Sequence, residues 1–255
     1  MPEDNLQQTP HKTRVAPQLP TAKIVARQDL TEDLWLLWLE TQTEFNFKAG
    51  QYITIGTGDI ERPYSIVSAP HEHLIELFLE LVPSPDGNLT PMLHKLQVGD
   101  SLTMRPKPKG IFTLDEKYSN HIMVSTVTGV VPFVSMVRSY IHRNGTGHRF
   151  YILQGASYLY EFAYKEELES LVADHPNSIY YVPTISRASD EGNSEWKGEK
   201  GRVNTLVEKY LEQFGVDKQS TMVYLCGHPG MIEDVKDKLI PLGWAVKEER
   251  FWKED

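Results

Sequence analysis

The sequence predicts two domains in tandem: an antiparallel β-barrel, then an α/β domain with a Rossmann-like parallel sheet. Three observations carry this reading. At 255 residues the chain exceeds the usual size of one domain. Its first half consists of short apolar runs punctuated by Gly and Pro, the spacing of a closed antiparallel barrel. Its second half alternates strand-like and helix-like stretches, which implies a parallel sheet with crossover helices.

Residues 1–18 hold three prolines and little that could pack, and are expected to form a flexible tail. Strands are then expected at Ala22–Ala26, Leu34–Leu39, Gly50–Ile55, Tyr64–Ser68, Leu74–Val82 and Ser101–Met104. Trp35 and Trp38, among leucines, are assigned to the barrel core. One short helix, Thr90–Leu96, opens on Thr90-Pro91 with Thr90 as its cap and stops before Gly99-Asp100. The boundary falls near Phe112–Tyr118, giving domains 19–113 and 114–255. Beyond it, strands are expected at His121–Thr126, Arg149–Leu153, Ser178–Val182 and Thr221–Leu225. Helices are expected at Pro132–Arg143, Tyr164–Ala173, Val203–Phe214 and Gly230–Leu239.

Composition excludes several classes. With 40% hydrophobic and 24% charged residues the chain reads as soluble and globular. No run approaches the roughly 18 apolar residues of a membrane span, and the polar, acidic start is not expected to act as a signal peptide. The single cysteine, Cys226, can form no internal disulfide, nor hold an iron–sulfur cluster, which takes about four thiolates. Redox chemistry would therefore need an organic cofactor or a partner protein, and a cytoplasmic setting fits best. A net charge of −9 argues against nucleic acid as the main partner.

Four segments carry chemistry. Arg62-Pro63-Tyr64-Ser65 combines a guanidinium, a planar ring and a small hydroxyl, a set suited to a large planar anionic cofactor. It also reads as an edge strand running into a turn. Gly87-Asn88-Leu89-Thr90 precedes the short helix, and is either a diphosphate clamp opposite Arg62 or an ordinary capped helix start. Val127-Thr128-Gly129-Val130-Val131-Pro132 joins a strand to a helix at the edge where such sheets bind ligands, and Gly129 permits close backbone approach. Leu225-Cys226-Gly227-His228-Pro229-Gly230-Met231 repeats that arrangement. Cys226 is expected to project into the crevice, although a buried Cys is usually core. His71 and His73 read as solvent-exposed, since two His without a third ligand rarely bind metal. Gly145-Thr146-Gly147 reads as a turn, and the acidic run Asp190–Glu199 as a solvated loop beside a nucleotide site.

In this order the segments resemble the ferredoxin–NADP(H) reductase family, especially its compact bacterial branch, over nearly the whole chain after the tail. Lys107-Pro-Lys-Gly-Ile-Phe112 resembles the family's joining segment, and Phe251-Trp252 its terminal aromatic. The resemblance implies an FAD-binding barrel and an NADP-binding α/β domain. Tyr64 would stack on the isoalloxazine and Ser65 would bond near N5. Arg62, the Asn88 and Leu89 amides and Thr90 would take the FAD diphosphate, with Pro63 in the flavin motif and Phe78 near the adenine or ribose. Thr126, Thr128 and Gly129 would border flavin and nicotinamide. Cys226, with Met231 in the same motif, would position the nicotinamide across the flavin from Tyr64, and Trp252 would hold that place until NADPH displaces it. Arg187 and Arg202 match positions that read the 2′-phosphate. Two departures bear on specificity: Val127 stands where the family has Gly, and Ser157 replaces an Arg, so NADH is possible beside NADPH.

The implied reaction is hydride transfer from NADPH to FAD N5, then electron delivery to ferredoxin or flavodoxin. An acidic acceptor would meet Arg105, Lys107 and Lys109, extended by Lys95. The alternatives are a reductase for free flavin or an oxygenase component, and a redox sensor without turnover. A monomer without metal, nucleic-acid partner or membrane span is expected.

Overall fold

The structure, a computed structural model, describes residues 19–250. The expected tail, and Phe251 and Trp252, lie outside them.

The first half contains β1 (Thr21–Asp29), β2 (Leu34–Thr41), β3 (Tyr52–Thr57), β4 (Ile60–Ser65), β5 (Ile75–Glu80) and β6 (Ser101–Met104), with α1 (Thr90–Leu93) between the last two. The strands form an antiparallel sheet ordered β4-β3-β6-β1-β2-β5. It coils back on itself where the Val67 amide donates to the Glu76 carbonyl at 2.9 Å, making the barrel. Alternate residues fill the interior: Ile24 from β1, Trp35, Leu37 and Leu39 from β2, Ile53 and Ile55 from β3.

The second half contains β7 (Asn120–Thr126), α2 (Val131–His142), β8 (Arg149–Ala156), α3 (Lys165–Asp174), β9 (Ile179–Ile185) and β10 (Glu199–Lys200). It continues through α4 (Val207–Phe214), β11 (Thr221–Gly227), α5 (Pro229–Leu239) and β12 (Ala245–Arg250). These strands make a parallel sheet ordered β10-β9-β8-β7-β11-β12. Both faces are covered, which is why its strands read as continuous apolar runs. Ile122, Val124, Val223 and Leu225 pack with α4 and α5. Met123, Tyr224 and Cys226, one residue out of phase, pack with α2 and α3. The strand order reverses between β7 and β11, and there a crevice opens at the carboxyl ends.

The two halves share a core. Leu34 and Leu36 of β2 and Phe78 of β5 leave the barrel and pack with Phe133, Val134 and Val137 of α2. Trp38 lies against this shared core and not in the barrel, which corrects its assignment; only Trp35 is barrel core. The reason is that β2 is apolar on both faces, one for the barrel and one for α2. A part-buried ionic cluster, with Glu76 at its buried end, spans the same seam. Arg138 of α2 donates to Glu76 of β5 at 2.6 Å and to both oxygens of Glu167 at 2.7 Å, and the Tyr164 hydroxyl donates to Glu76 at 2.9 Å.

Other elements depart from expectation. β4 begins at Ile60, so Arg62–Ser65 lies inside a strand, with Pro63 opposite Thr54 on the terminal strand of the sheet order, where a missing N–H is tolerated. α1 ends at Leu93 and continues only as turns, Lys95 and Leu96 donating to carbonyls three residues back. α4 starts at Val207 because Val203–Thr205 forms a 3₁₀ turn. β10 and β12 were not expected: one is two residues long, and Ala245-Val-Lys-Glu-Glu-Arg250 is too charged to read as a strand. His71 is exposed, as expected, but stacks on His142 of α2 with centroids 3.5 Å apart. Between α2 and β8 the turn falls at Arg143–Asn144, just before Gly145-Thr146-Gly147, where Gly147 bends the chain at φ 86°.

Candidate functional site

The first crevice, about 460 Å³, is bounded by β4, β5 and the loop into α1. Arg62, Pro63, Tyr64 and Ser65 form one wall, Phe78 and Glu80 another, and Asn88, Leu89 and Thr90 a third, while Thr128 and Val131 reach in from the second half. The Arg62 guanidinium is exposed and donates to the Glu61 carbonyl at 2.8 Å. Burial pushes the Tyr64 phenol up to about 12, against the pull of Arg62, so it stays neutral. Phe78 is buried, edge-on to Tyr164 at 5.9 Å.

The loop into α1 is drawn tight. Gly87 donates to Pro83 at 2.8 Å, and any Cβ there would run into Val82. Thr90 is not the helix cap; that position is Leu89, without a side-chain bond. The Thr90 hydroxyl is instead engaged by Val82, accepting from its amide at 3.0 Å and donating to its carbonyl at 3.1 Å. The Asn88 and Leu89 amides donate to no acceptor among the described residues. Unpaired amides beside an arginine in a concave site suit an oxyanion.

The second crevice, about 450 Å³, opens at the switch point. Thr126, Val127 and Thr128 follow β7, and Gly227, His228, Gly230 and Met231 follow β11. The two loops interlock. Thr126 Oγ1 accepts from the His228 amide at 2.8 Å, and Gly227 holds φ 127° against Thr126, a conformation that favours glycine. Gly129 is buried and lines neither crevice; its lack of a Cβ lets the turn lie on the Cys226–Gly227 backbone. Val127 sits at φ 40°, unusual for a branched side chain, its carbonyl accepting from Gln154 at 3.3 Å. Ser157, Ser186, Arg187, Arg202 and Asn204 line the far part of this crevice. Glu80 and Thr128 line both crevices, so the two meet at a common wall.

Cys226 does not project into either crevice, which corrects that expectation. It is wholly buried in the shared core, because its position in β11 faces α2, and burial drives its thiol well above the usual range. A residue the motifs did not reveal stands nearby. β12 pairs with β11 so that Glu249 lies opposite Cys226. Ser65 donates to the Glu249 carboxylate at 3.0 Å, tying the two halves together beside Tyr64. Burial pushes Glu249 up to about 7, the Ser65 bond pulling it down. No local pattern signals this residue, since it lies in a charged stretch whose pairing is set by the fold. Among the described residues no group of three or more His, Cys, Asp and Glu is placed to hold a metal ion, and no helix is long and apolar enough to cross a membrane.

Comparison with known proteins agrees with this geometry. Residues 21–113 match the family model for an oxidoreductase FAD-binding domain, and residues 123–237 that for an oxidoreductase NAD-binding domain. The chain is 32% identical over 200 residues to ferredoxin–NADP reductase B of Sorangium cellulosum, across 76% of this chain and 79% of that protein. It is 28% identical over 232 residues to a flavodoxin/ferredoxin–NADP reductase of Buchnera aphidicola subsp. Baizongia pistaciae, across 86% and 89%. A ferredoxin NADP+ reductase from Neisseria gonorrhoeae, solved with bound FAD and NADP, shares the fold with a TM-score of 0.80 at 24% identity, covering 93% of this chain and 100% of that one. A barrel matching an FAD-binding domain and a parallel sheet matching an NAD-binding domain thus stand in one chain: it belongs to the ferredoxin–NADP(H) reductase family and is an FAD- and NAD(P)-dependent oxidoreductase.

Proposed function

We propose that this enzyme passes electrons between NADPH and a small electron-carrier protein, ferredoxin or flavodoxin, through FAD. The observation that carries this reading is the common wall of Glu80 and Thr128, which makes the two cofactor crevices adjoin. The residues present fit the flavin nucleotide: a neutral ring at Tyr64, and the unpaired Asn88 and Leu89 amides with Arg62 for a diphosphate. FAD, when bound, would supply the redox chemistry, which couples two-electron exchange with a nicotinamide to one-electron exchange with a carrier.

The chain's own residues align and protect. Tyr64 offers a flat apolar face for the isoalloxazine, and Phe78 and Val131 close the crevice against water. Ser65 donates to Glu249 at 3.0 Å, a carboxyl that burial pushes up to about 7 and that can therefore hold a proton beside the hydroxyl. That pair can deliver or take a proton at the flavin edge. Thr126, Gly227 and Met231 frame the nicotinamide end, and Arg187 and Arg202 suit the adenosine phosphate. Cys226, buried in the core, acts on the nicotinamide only through the backbone it supports.

The acceptor is recognised by charge. Arg105 is paired with Glu61 at 2.6 Å, which leaves Lys107 and Lys109, both exposed, beside Ile111 at 87% exposure. This segment lies next to the flavin motif, because Lys109 pairs with Tyr52, the partner of Ser65 across β3 and β4. An acidic carrier docked there would stand close to the flavin edge.

Anaerobic titration of the yellow protein with NADPH, then NADH, tests the reading. Rapid bleaching of the flavin band by NADPH, with reoxidation by ferredoxin or flavodoxin that slows in Lys107→Ala/Lys109→Ala and loses its salt dependence, is expected. No bleaching by either nucleotide would make the protein a flavin sensor without turnover.

A further inference from the structure

Within the nucleotide crevice Arg187 is already held by its own chain. Its Nη1 donates to the Tyr158 hydroxyl at 2.9 Å, and its guanidinium lies 5.3 Å from the centroid of that ring. The same hydroxyl donates to an Asp190 carboxylate oxygen at 3.0 Å. The direction of both bonds is forced, since a guanidinium only donates and a carboxylate only accepts. Arg187 and Asp190 are therefore linked through a single phenol.

The triad is built, not three loose surface groups. Tyr158 stacks on Tyr160 with centroids 5.2 Å apart and planes 6° from parallel. The Ser157 and Tyr158 amides donate to Glu161 at 2.6 and 3.2 Å. Buried Asn193 pins the two loops to each other: its Nδ2 donates to the carbonyls of Ser157 and Arg187, both at 2.9 Å, and its Oδ1 accepts from Leu159, also at 2.9 Å. The acidic run thus does more than cover the site; Asp190 at its start is aimed at the arginine.

Nucleotide discrimination turns on charge at the adenosine ribose. A carboxylate favours a 2′-hydroxyl, and an arginine favours a 2′-phosphate. Arg187 lines this crevice with uncharged Ser157, and Asp190, which stands outside the lining, reaches Arg187 through the Tyr158 phenol. We propose that Tyr158 and Asp190 set the nucleotide preference: through the phenol, Asp190 restrains Arg187 and opposes a 2′-phosphate, so that the enzyme takes NADH as well as NADPH. The proposal rests on the reading that Arg187 and Arg202 receive the adenosine ribose.

The test is calorimetric binding of 2′,5′-ADP and 5′-AMP to the FAD-loaded protein and its Asp190→Asn, Tyr158→Phe and Asp190→Glu variants. Removing the charge or its bridge among these exposed groups is expected to tighten 2′,5′-ADP by about threefold, with 5′-AMP unchanged or weaker. Asp190→Glu should keep the parent ratio, and the NADPH to NADH ratio of kcat/KM should rise in the first two variants in step with the binding. If the parent binds 2′,5′-ADP and neither Asn nor Phe alters it, the proposal is overturned while the Arg187–Arg202 reading stands. If the parent binds neither fragment, both fall.

Discussion

Gly129→Ala probes the interlock on which the second crevice, proposed to take the nucleotide, depends. A Cβ there would lie 2.7 Å from the Cys226 carbonyl carbon and 2.9 Å from Gly227 Cα, well inside ordinary contact. Both atoms are backbone of β11, a strand paired to β7 on one side and β12 on the other, so no rotamer change relieves the clash. Overpacking of this kind costs about 1–3 kcal/mol. Gly129 does not sit in the left-handed region, so alanine also recovers about 0.4–1 kcal/mol through the unfolded chain. The net loss is therefore on the order of 1–2 kcal/mol, or about 2–8 °C in Tm for a chain of this size. Because the displaced backbone includes Gly227 and leads to His228, whose amide Thr126 holds, nucleotide affinity should fall as well. Thermal melts of FAD-loaded protein and NADPH titration of the flavin band measure the two effects. Gly192→Ala serves as the stability control, since its Cβ would meet the nearest atom at an ordinary 3.6 Å. A Gly129→Ala protein with parental Tm and parental affinity would refute the claim that this close approach shapes the crevice.

Two further perturbations address the seam between the halves. Glu249 has a folded pKa of about 7, above its ordinary 4.5, so its contribution to stability is complete below about pH 4.5 and is lost as pH rises through 7. Glu249→Gln should flatten the dependence of Tm on pH over that window and raise Tm relative to the parent at pH 8; parallel curves would show that the carboxyl is not the titrating group. Arg138→Met leaves Glu76 buried with Tyr164 as its remaining side-chain partner, and breaking such a pair costs about 3–5 kcal/mol. Urea unfolding should report that loss, and a change below about 1 kcal/mol would mean the cluster is solvated.

Much of the site was legible because its signals are local. Arg62-Pro63-Tyr64-Ser65 reads as a strand by alternation, and Gly129 marks a close backbone approach, which the fold makes to the Cys226–Gly227 backbone. What failed to read depended on faces and neighbours. Cys226 carries no sign of which side of β11 it faces, and one residue of phase moves it from crevice to core. Thr90 has the chemistry of a helix cap, but the chain returning from β5 brings Val82 to its hydroxyl first.

Sequence alone therefore determined the order of strands and helices apart from β10 and β12, the division into a barrel and a parallel sheet, and the segments that line the two crevices. Each of these follows from periodicity or turn chemistry over a few residues. Only the tertiary structure decided that Glu249 meets Ser65, that Asp190 reaches Arg187 through Tyr158, and that Arg138 locks β5 to α2 and α3. These are contacts between segments far apart in the chain or in separate loops, created by strand order and loop packing, and no short-range pattern encodes which distant partner a charged side chain will find.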